Sequence, residues 1–401
     1  MSGGRGNQAE DSVVGDITLQ VATTESAQQS GGTAKRGIIL KGGPAPITQF
    51  RQDRMTAKER FTALLSRQPV DRVSLDLMAG SFATVMVGYP KTEIYGGPEK
   101  GLWAQLRTSE MFDTIQRAGC MIGAFPAREF GGEVKMPTSE YAMAISLLRP
   151  AVQSEEDVWK LKVPDVKTAG ILPSAMQCSR LQEKYGLPIS FRSGGILTEV
   201  GYITGIERMC RWMIKKPELV HRLCRIVTDF HAAIAEYWVD TFGPERILAE
   251  GVTPTEANQV ISPKQFQEFG FPYQKEVHDK LFTLGVKHTW AHICGEQNLN
   301  LPYWAQIPMG DPGIVSFGHE VDLDTASQYF PNDILMGNVE PAIIQVGTPE
   351  EVYELSRVCI EKGKRHSAGF ILGPGCQMPT KAPPYNVWMM RKAINDFGWY
   401  E

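Results

Sequence analysis

The sequence predicts an α/β protein, a (β/α)8 barrel of the TIM type with an N-terminal arm and a hairpin excursion over the barrel. Three observations support this fold. Strand-like and helix-like segments alternate along most of the chain, eight strand-like segments are present, and a length of 401 residues suits one barrel with additions. In such a barrel, functional groups collect at the carboxyl ends of the strands.

Residues 1–51 have the composition of a flexible arm. They are rich in Gly, Ser, Thr and Gln, which provide little apolar surface for a core. We expect this arm to be flexible or to become ordered on a partner subunit, which would suit a homodimer. The barrel domain is predicted to span residues 52–401, with no second independent domain.

The eight strand-like segments are apolar or alternating runs bounded by turn residues. They are residues 73–77, 121–125, 188–192, 246–250, 287–294, 314–317, 333–338 and 370–372. Residues 128–150, between the second and third of these segments, are predicted to form the hairpin.

Capping residues predict where several helices begin. Thr56 and Glu59 form a capping box, and Ser262 and Thr348 are N-cap residues followed by proline. The corresponding helices are predicted over residues 56–66, 205–241 with a break near Pro217, 263–284, and 349–364.

Composition excludes several classes of protein. The chain has 41 basic and 45 acidic residues without a basic stripe, so we expect no nucleic-acid partner. It contains no run of 18 apolar residues and no apolar core of a signal peptide, so we expect no membrane span. Seven cysteines, an odd number, fit reduced thiols better than a disulfide framework. The sequence therefore predicts a soluble cytoplasmic protein.

Three residues of the types that bind metals lie at predicted strand ends. In an extended strand, Trp290, His292 and Cys294 point to one face, and His292 lies about 6.6 Å along the strand from Cys294. Cys376 follows the last predicted strand, whose end lies at the same mouth of the barrel. One imidazole and two thiolates form a three-ligand set for zinc with a position left for chemistry. Taken singly, each of these residues could instead be a buried, hydrogen-bonded core residue.

The charge of this ligand set favours group transfer over hydrolysis. Two thiolates neutralise the ion, which then suits binding a heteroatom better than generating hydroxide. A carboxylate is expected to complete the site or to act in catalysis, and Glu250 and Glu256 are the candidates. Either carboxylate could instead be a solvated loop charge or a neighbour of a helix cap.

Several motifs resemble those of the uroporphyrinogen decarboxylase superfamily, and the resemblance covers about residues 52–400. The motifs are Met-Thr-Ala-Lys-Glu-Arg at 55–60, Pro-Val-Asp-Arg-Val at 69–73, Ile-Ser-Pro-Lys-Gln-Phe at 261–266, Gly-Asn-Val-Glu-Pro at 337–341 and Gly-Thr-Pro-Glu-Glu-Val at 347–352. His-Ile-Cys-Gly at 292–295 with Gly-Pro-Gly-Cys at 373–376 is similar to the zinc-dependent corrinoid methyltransferase branch.

The resemblance implies a barrel with Zn²⁺ bound by His292, Cys294 and Cys376 at its mouth. It also implies a partner corrinoid protein that carries methylcobalamin or cob(I)alamin. The expected activity moves a methyl group from a methylated small molecule, an aryl methyl ether, to cob(I)alamin, as in the first component of an O-demethylase system. The alternative is a methylcobalamin:thiol methyltransferase of the coenzyme M type.

Other functions are less favoured. A uroporphyrinogen decarboxylase needs arginines after its first strand to hold substrate carboxylates, and residues 76–83 contain none. Cobalamin-independent methionine synthase has a similar ligand set but is a much longer, two-barrel protein. A barrel kept as a binding scaffold would leave the three metal-type residues unexplained.

A substrate pocket beside the metal needs aromatic and polar groups. Arg192 is a candidate for binding an anion such as a sulfonate, although it could instead form a salt bridge. Asp76, Glu199 and Asn338 are the candidates for fixing the metal-binding histidine through its free ring nitrogen, and Asn338 is also a candidate for catalysis. For the aromatic residues the alternative is core packing. The candidate substrate-binding residues are Asp76, Phe82, Arg192, Glu199, Tyr202, Trp290, Phe317 and His319.

Overall fold

The computed structural model describes residues 50–401, apart from residues 91, 122 and 138–143. Residues Asp53–Glu401 form one unit. The predicted arm, residues 1–51, lies almost wholly outside the described residues, so its flexibility and its part in a homodimer stay predictions.

Parallel strands form the centre of this unit. Six of them are hydrogen-bonded in the order β1-β8-β7-β6-β5-β4, while β2 and β3 form a separate antiparallel pair. The strands are β1 Ser74–Leu75, β2 Glu133–Lys135, β3 Ser146–Arg149, β4 Leu248–Val252, β5 His288–Ile293, β6 Ile314–Phe317, β7 Ile334–Val339 and β8 Phe370–Pro374. The β2–β3 pair is the hairpin predicted over residues 128–150.

Residues 188–192 extend the sheet beyond β4. Ile189 and Arg192 form isolated parallel bridges with Ile247 and Glu250. The predicted segment therefore runs parallel to β4, but these two bridges are too few to form a continuous strand ladder.

The strand predicted over residues 121–125 is wrong, because the described residues of this segment form turns. Ala124 has a φ of +52°, and Phe125 is buried among the outer helices. A segment before residues 121–125 lies beside β1 instead, since the Ile115 amide donates a hydrogen bond of 2.9 Å to the Leu75 carbonyl. The apolar run that resembled a strand contributes to the helical layer instead.

Helices follow the strands and cover the sheet. In the described part of the chain they are α1 Ala57–Leu65, α2 Gly80–Met86, α3 Glu93–Gly96, α4 Pro98–Phe112, α5 Glu155–Lys160, α6 Leu172–Lys184, α7 Ile196–Thr204, α8 Ile206–Lys215, α9 Pro217–Phe242, α10 Pro263–Gln265, α11 Phe271–Thr283, α12 Leu301–Trp304, α13 Leu323–Tyr329, α14 Pro341–Val346, α15 Pro349–Gly363 and α16 Pro384–Phe397. A 3₁₀ turn, Pro244–Arg246, precedes β4, and a π-helical turn, Phe266–Gly270, joins α10 to α11. None of the helices in the described residues has the length and apolar character needed to cross a membrane.

The predicted helix starts are confirmed at three caps. The side chains of Thr56, Ser262 and Thr348 each accept a hydrogen bond from the backbone amide three residues later. The predicted break in the long helix is also confirmed, because α8 ends before Pro217 and α9 begins with it. Pro217 tolerates this position because the first residue of a helix needs no amide donor.

Both faces of the parallel strands are buried, as expected when helices surround a sheet. Leu248, Trp290 and Ile314 pack together on the inner face, where α1 contributes Phe61 to the same cluster. On the outer face, neighbouring strand residues pack against a second cluster formed largely by helices. The alternation along each strand therefore separates a barrel interior from a helix-facing layer.

A buried ion pair anchors α1 to the start of β1. The Arg60 Nε donates to Asp71 Oδ1 at 2.6 Å, and the backbone amides of Arg54 and Met55 donate to Oδ2. Although burial alone would raise the pKa of Asp71, these hydrogen bonds and the Arg60 charge lower it to about 2. The folded state therefore stabilises the ionised carboxylate.

We predict that Asp71→Asn lowers the free energy of unfolding by about 3 kcal/mol near neutral pH, because Arg60 loses its buried partner. The folded pKa lies below the ordinary value of 3.8, so the wild-type contribution is present above about pH 4 and is lost as pH falls toward about 2. Urea unfolding followed by circular dichroism across this range measures both effects. Asp311→Asn, at an exposed pair with Arg67, is the control and should change little. Equal unfolding of Asp71→Asn and wild type near neutral pH would contradict the prediction.

Candidate metal centre and the adjoining cavity

His292, Cys294 and Cys376 lie together at the carboxyl ends of β5 and β8. Their ligand atoms are all within 4.8 Å of one another, and the two sulfur atoms are 3.7 Å apart. His292 is buried, whereas both cysteines are partly exposed. The structure thus brings together three residues that the strand pattern placed at two separate ends.

The hydrogen bonding of His292 leaves one ring nitrogen for a ligand. Its Nδ1 lies 3.0 Å from Ser316 Oγ on β6, in register with His292 across the two strands. Its Nε2 is buried and has no hydrogen-bond partner. Buried polar atoms rarely lack a partner, so this nitrogen fits a metal ligand whose other ring nitrogen is fixed by a hydroxyl.

The two thiols are electrostatically unlike. The hydrogen bond between the two sulfur atoms, with His292 nearby, lowers the pKa of Cys376 to about 4. The same hydrogen bond and burial raise the pKa of Cys294. One thiolate is therefore stabilised before any cation binds, and a soft divalent cation such as Zn²⁺ would stabilise both as ligands.

A cavity of about 300 Å³ adjoins this cluster inside the barrel mouth. His292 and Cys376 line one part of it, and aromatic rings line much of the rest. The predicted residues that line it are Asp76, Arg192, Glu199, Tyr202, Glu250 and Trp290; further aromatic lining comes from Tyr95, Phe125, Phe191 and Trp238.

Arg117 also lines this cavity. It donates to Asp76 Oδ2 at 3.1 Å and to Glu250 Oε1 at 2.6 Å, which joins the residue after β1 to the middle of β4. Its guanidinium carbon lies 4.2 Å from the centre of the Trp290 ring, and Trp290 stacks on His292 with ring centres 5.9 Å apart. Burial would lower the pKa of Arg117, but the two carboxylates raise it further, so the cation is retained.

Arg117 was not identified from the sequence. It follows a short segment in which polar and apolar residues do not alternate clearly. The more apolar run after it, residues 121–125, resembles a strand more closely. The signal available was an arginine within a few residues of the end of an amphipathic helix, which is too common to indicate a function.

The two carboxylates proposed for the metal occupy other positions. Glu250 is paired with Arg117, and among the described residues no carboxylate joins the cluster of three. Glu256 is buried and accepts hydrogen bonds from Leu197 N at 2.8 Å and Thr198 Oγ1 at 2.6 Å. Burial raises the pKa of Glu256 to about 7. Glu256 thus binds the amino end of α7, so it has the helix-cap role that the sequence left open as an alternative to a role at the metal.

Glu199 lies in a buried pair with a histidine. Its Oε2 is 2.8 Å from His231 Nε2 on α9, although the two groups are not aligned for a regular hydrogen bond. Burial raises the pKa of Glu199, while His231 and then Arg192 oppose that shift. Glu199 therefore combines a place in the cavity wall with a contact to the helical layer.

Four other predicted residues lie outside the cavity lining. Phe82 and Phe317 are fully buried, and their rings pack against Phe112 and Phe330 at 6.1 and 5.5 Å. These two rings therefore pack in the core, which is the alternative that the sequence left open for the aromatic candidates.

The other two of these residues lie around the loop after β6. The Asn338 side-chain amide donates to the carbonyls of Gly318 and Val321 at 2.9 and 2.6 Å. His319, 39% exposed, follows Gly318, and its backbone lies so close to Gly375 that a Cβ there would be 2.7 Å from its amide nitrogen. Asn338 and Gly375 therefore help to set the path of two loops beside Cys376.

The fold and this cluster together define a class of protein, the parallel α/β barrels that carry a His-x-Cys pair and a distant cysteine at their mouth. The chain belongs to the uroporphyrinogen decarboxylase (URO-D) family, which it matches over residues 56–397. The family resemblance expected from the motifs is therefore confirmed.

The relatives include two transferases that act with coenzyme M. Methylcobamide:CoM methyltransferase MtbA of Methanosarcina acetivorans is 27% identical over 359 residues, which cover 85% of this chain and 98% of that protein. Methylated-thiol–coenzyme M methyltransferase of Methanosarcina mazei is 27% identical over 242 residues, 59% of this chain and 61% of that protein.

A solved methyltransferase structure from Methanosarcina mazei aligns with a TM-score of 0.72 at 20% identity. The alignment covers 86% of this chain and 99% of that one. At this identity the likeness concerns the fold, and the predicted α/β barrel class is confirmed.

We predict that the purified chain binds about one Zn²⁺ per molecule and that Cys294→Ala loses this ion, because one of three ligands is removed. Elemental analysis after dialysis measures the content, with circular dichroism to check folding. Cys210→Ala is the matched control, since this half-buried thiol lies on α8 outside the cluster. Unchanged zinc content in folded Cys294→Ala would contradict the site.

We also predict that Arg117→Met lowers the free energy of unfolding by about 3 kcal/mol, because Asp76 and Glu250 would be left close together without their cation. Adding Glu250→Gln should restore part of the loss, and urea unfolding of the single and double variants measures the coupling. Arg67→Met, at an exposed pair, is the control. A loss in Arg117→Met no greater than in this control would contradict the assignment.

Proposed function

We propose that this chain is a zinc-dependent methyltransferase that moves a methyl group from an aryl methyl ether to the cob(I)alamin of a partner corrinoid protein. The bond between the ether oxygen and the methyl carbon breaks, a phenolate leaves, and cobalt supplies the electron pair of the new bond to carbon. The class of activity is supported by family membership and by relatives named as methylcobamide- and thiol-dependent methyltransferases. The choice of an aryl ether rests on the cavity beside the cluster.

His292 Nε2 and the sulfur atoms of Cys294 and Cys376 would hold the ion. When bound there, Zn²⁺ supplies a Lewis acid that binds and polarises a heteroatom. Ser316 keeps the histidine in a fixed orientation through Nδ1. The chain itself thus contributes a preorganised donor set and a shaped space around it.

The aromatic lining of the cavity is the observation that carries the aryl ether proposal. Trp290 lies in the strand that also carries His292, and Phe191, Tyr202 and Trp238 line the same space. A cavity of about 300 Å³ lined by rings suits a substrate with an aromatic ring, since stacked and edge-to-face contacts favour such ligands. The rings also keep water away from the reacting bond.

Arg117 and its two carboxylates would keep this wall rigid. The guanidinium covers one face of Trp290, whose ring stacks on His292, so the orientation of the histidine depends on an ion-paired cation. A binding site held by paired groups loses little entropy when the substrate enters.

A methylcobalamin:thiol methyltransferase of the coenzyme M type is the second candidate. The names of the relatives favour it, because both act with coenzyme M. A small thiol would leave much of the aromatic cavity unfilled, which is why the ether is preferred. Decarboxylation of a tetrapyrrole is less favoured, because residues 76–83 contain no arginine to bind its carboxylates.

We predict that the zinc-loaded protein methylates free cob(I)alamin with a methoxybenzene derivative as donor, and that Cys294→Ala does not. The absorbance change from cob(I)alamin to methylcobalamin measures the transfer directly. A complementary assay supplies methylcobalamin with 2-mercaptoethanesulfonate and monitors loss of the methyl-cobalt spectrum. If only the second assay shows transfer, the aryl ether proposal is wrong and the thiol reaction replaces it.

A further inference from the structure

Arg192 is a cation in the cavity wall without an ion-pair partner. Its side chain is half-buried and lines the cavity, and it forms no salt bridge or hydrogen bond with the described residues. Arg117, in the same wall, binds two carboxylates. An arginine that lines a partly enclosed cavity and makes no direct ion pair with the described residues keeps its donors available to an anionic ligand.

The carboxylates around the cavity are already engaged with other groups. Among the described residues, the charged side chains that line it are Asp76, Arg117, Arg192, Glu199 and Glu250. Asp76 and Glu250 share Arg117. Glu199 lies against a buried histidine of α9, and the charge of Arg192 acts on it without a direct ion pair. Arg192 is therefore the cation whose donors are not taken up by the protein itself.

The strand alignment directs Arg192 into the barrel. Phe191, which borders the cavity, packs against the helical layer, where its ring lies 5.8 Å from that of Trp238. Neighbouring residues of an extended segment point to opposite faces, so Arg192 points to the interior. Its backbone is level with Glu250, and Glu250 is level with Trp290 on β5.

This alignment also gives the distance to the metal cluster. Two strand spacings separate Arg192 from β5, and His292 lies two residues beyond Trp290, so the two Cα atoms are roughly 12 Å apart. Both side chains enter the same cavity, which narrows the gap between their ends. One small molecule with an anionic group at one end and a heteroatom at the other could contact both.

We propose that Arg192 is the anion-binding residue of this cavity and that the substrate carries a carboxylate or sulfonate opposite its methyl-transferring heteroatom. This assignment rests on the proposed function in that the cavity is taken as the substrate site. The guanidinium fork binds a carboxylate or sulfonate through two parallel hydrogen bonds, and the apolar walls strengthen them by excluding water. The acid group would thereby orient the heteroatom toward His292, Cys294 and Cys376.

Equilibrium binding to the zinc-loaded chain tests the proposal without requiring methyl transfer. The probes are 4-methoxybenzoate and its uncharged counterpart 4-methoxybenzamide, measured by isothermal titration calorimetry. Arg192→Met should weaken binding of the benzoate by about 10- to 100-fold and leave that of the amide unchanged. Arg192→Lys should fall between wild type and Arg192→Met, because it keeps the charge but loses the fork.

Arg246→Met is the matched control, since this arginine precedes β4 at the opposite end of the barrel and pairs with Glu183 on the surface. It should bind both probes as wild type does. Thermal unfolding of each variant checks the fold, and loss of Arg192 should cost little stability because the side chain has no partner to abandon.

A second anion separates this proposal from the aryl ether function. If 2-mercaptoethanesulfonate binds in an Arg192-dependent way and the benzoate does not bind, Arg192 is the anion-binding residue and the ether proposal fails. If neither anion binds wild type, or if both bind wild type and Arg192→Met equally, the assignment of Arg192 is overturned whichever methyl transfer is observed.

Discussion

Parallel register between β5 and its neighbours is the constraint on which the candidate site depends. His292 is level with Val252 on β4 and with Ser316 on β6, so Ser316 can fix one ring nitrogen while the other points toward the thiols. The carboxyl ends of β5 and β8 lie at the same mouth, which places Cys376 next to a cysteine 82 residues earlier in the chain. A one-residue slip of β5 would turn His292 to the helix-facing side and dissolve the cluster.

Pairing between buried charged groups fixes the positions of the other residues in the cavity wall. Arg117 joins two carboxylates and covers one face of Trp290, while Glu256 accepts hydrogen bonds from the amino end of α7. Arg192 departs from this pattern. Because Arg117 is already bound to Asp76 and Glu250, Arg192 is the better placed of the two arginines of this wall to bind an anion.

The accuracy of the sequence-based predictions follows how local each feature is. The capping box at Thr56 and the N-cap at Thr348 depend on residues within one helical turn, and both were predicted correctly. The strand over residues 121–125 was wrong, since an apolar run shows burial but not whether the burying partner is a sheet or a helix. Likewise, an acidic residue in a loop after a strand did not reveal that Glu256 would bind a helix end.

The sequence by itself determined the alternating fold, the helix starts and the placement of His292 and Cys294 at one strand end, because these follow from local spacing and side-chain chemistry. Only the tertiary structure decided that Cys376 lies 3.7 Å from Cys294, that Arg117 binds Asp76 and Glu250, and that Arg192 faces the cavity without a direct ion pair to the described part of the chain. These contacts join residues far apart in the chain. They depend on strand order, register and the curvature of the sheet, and no short stretch of sequence encodes those quantities.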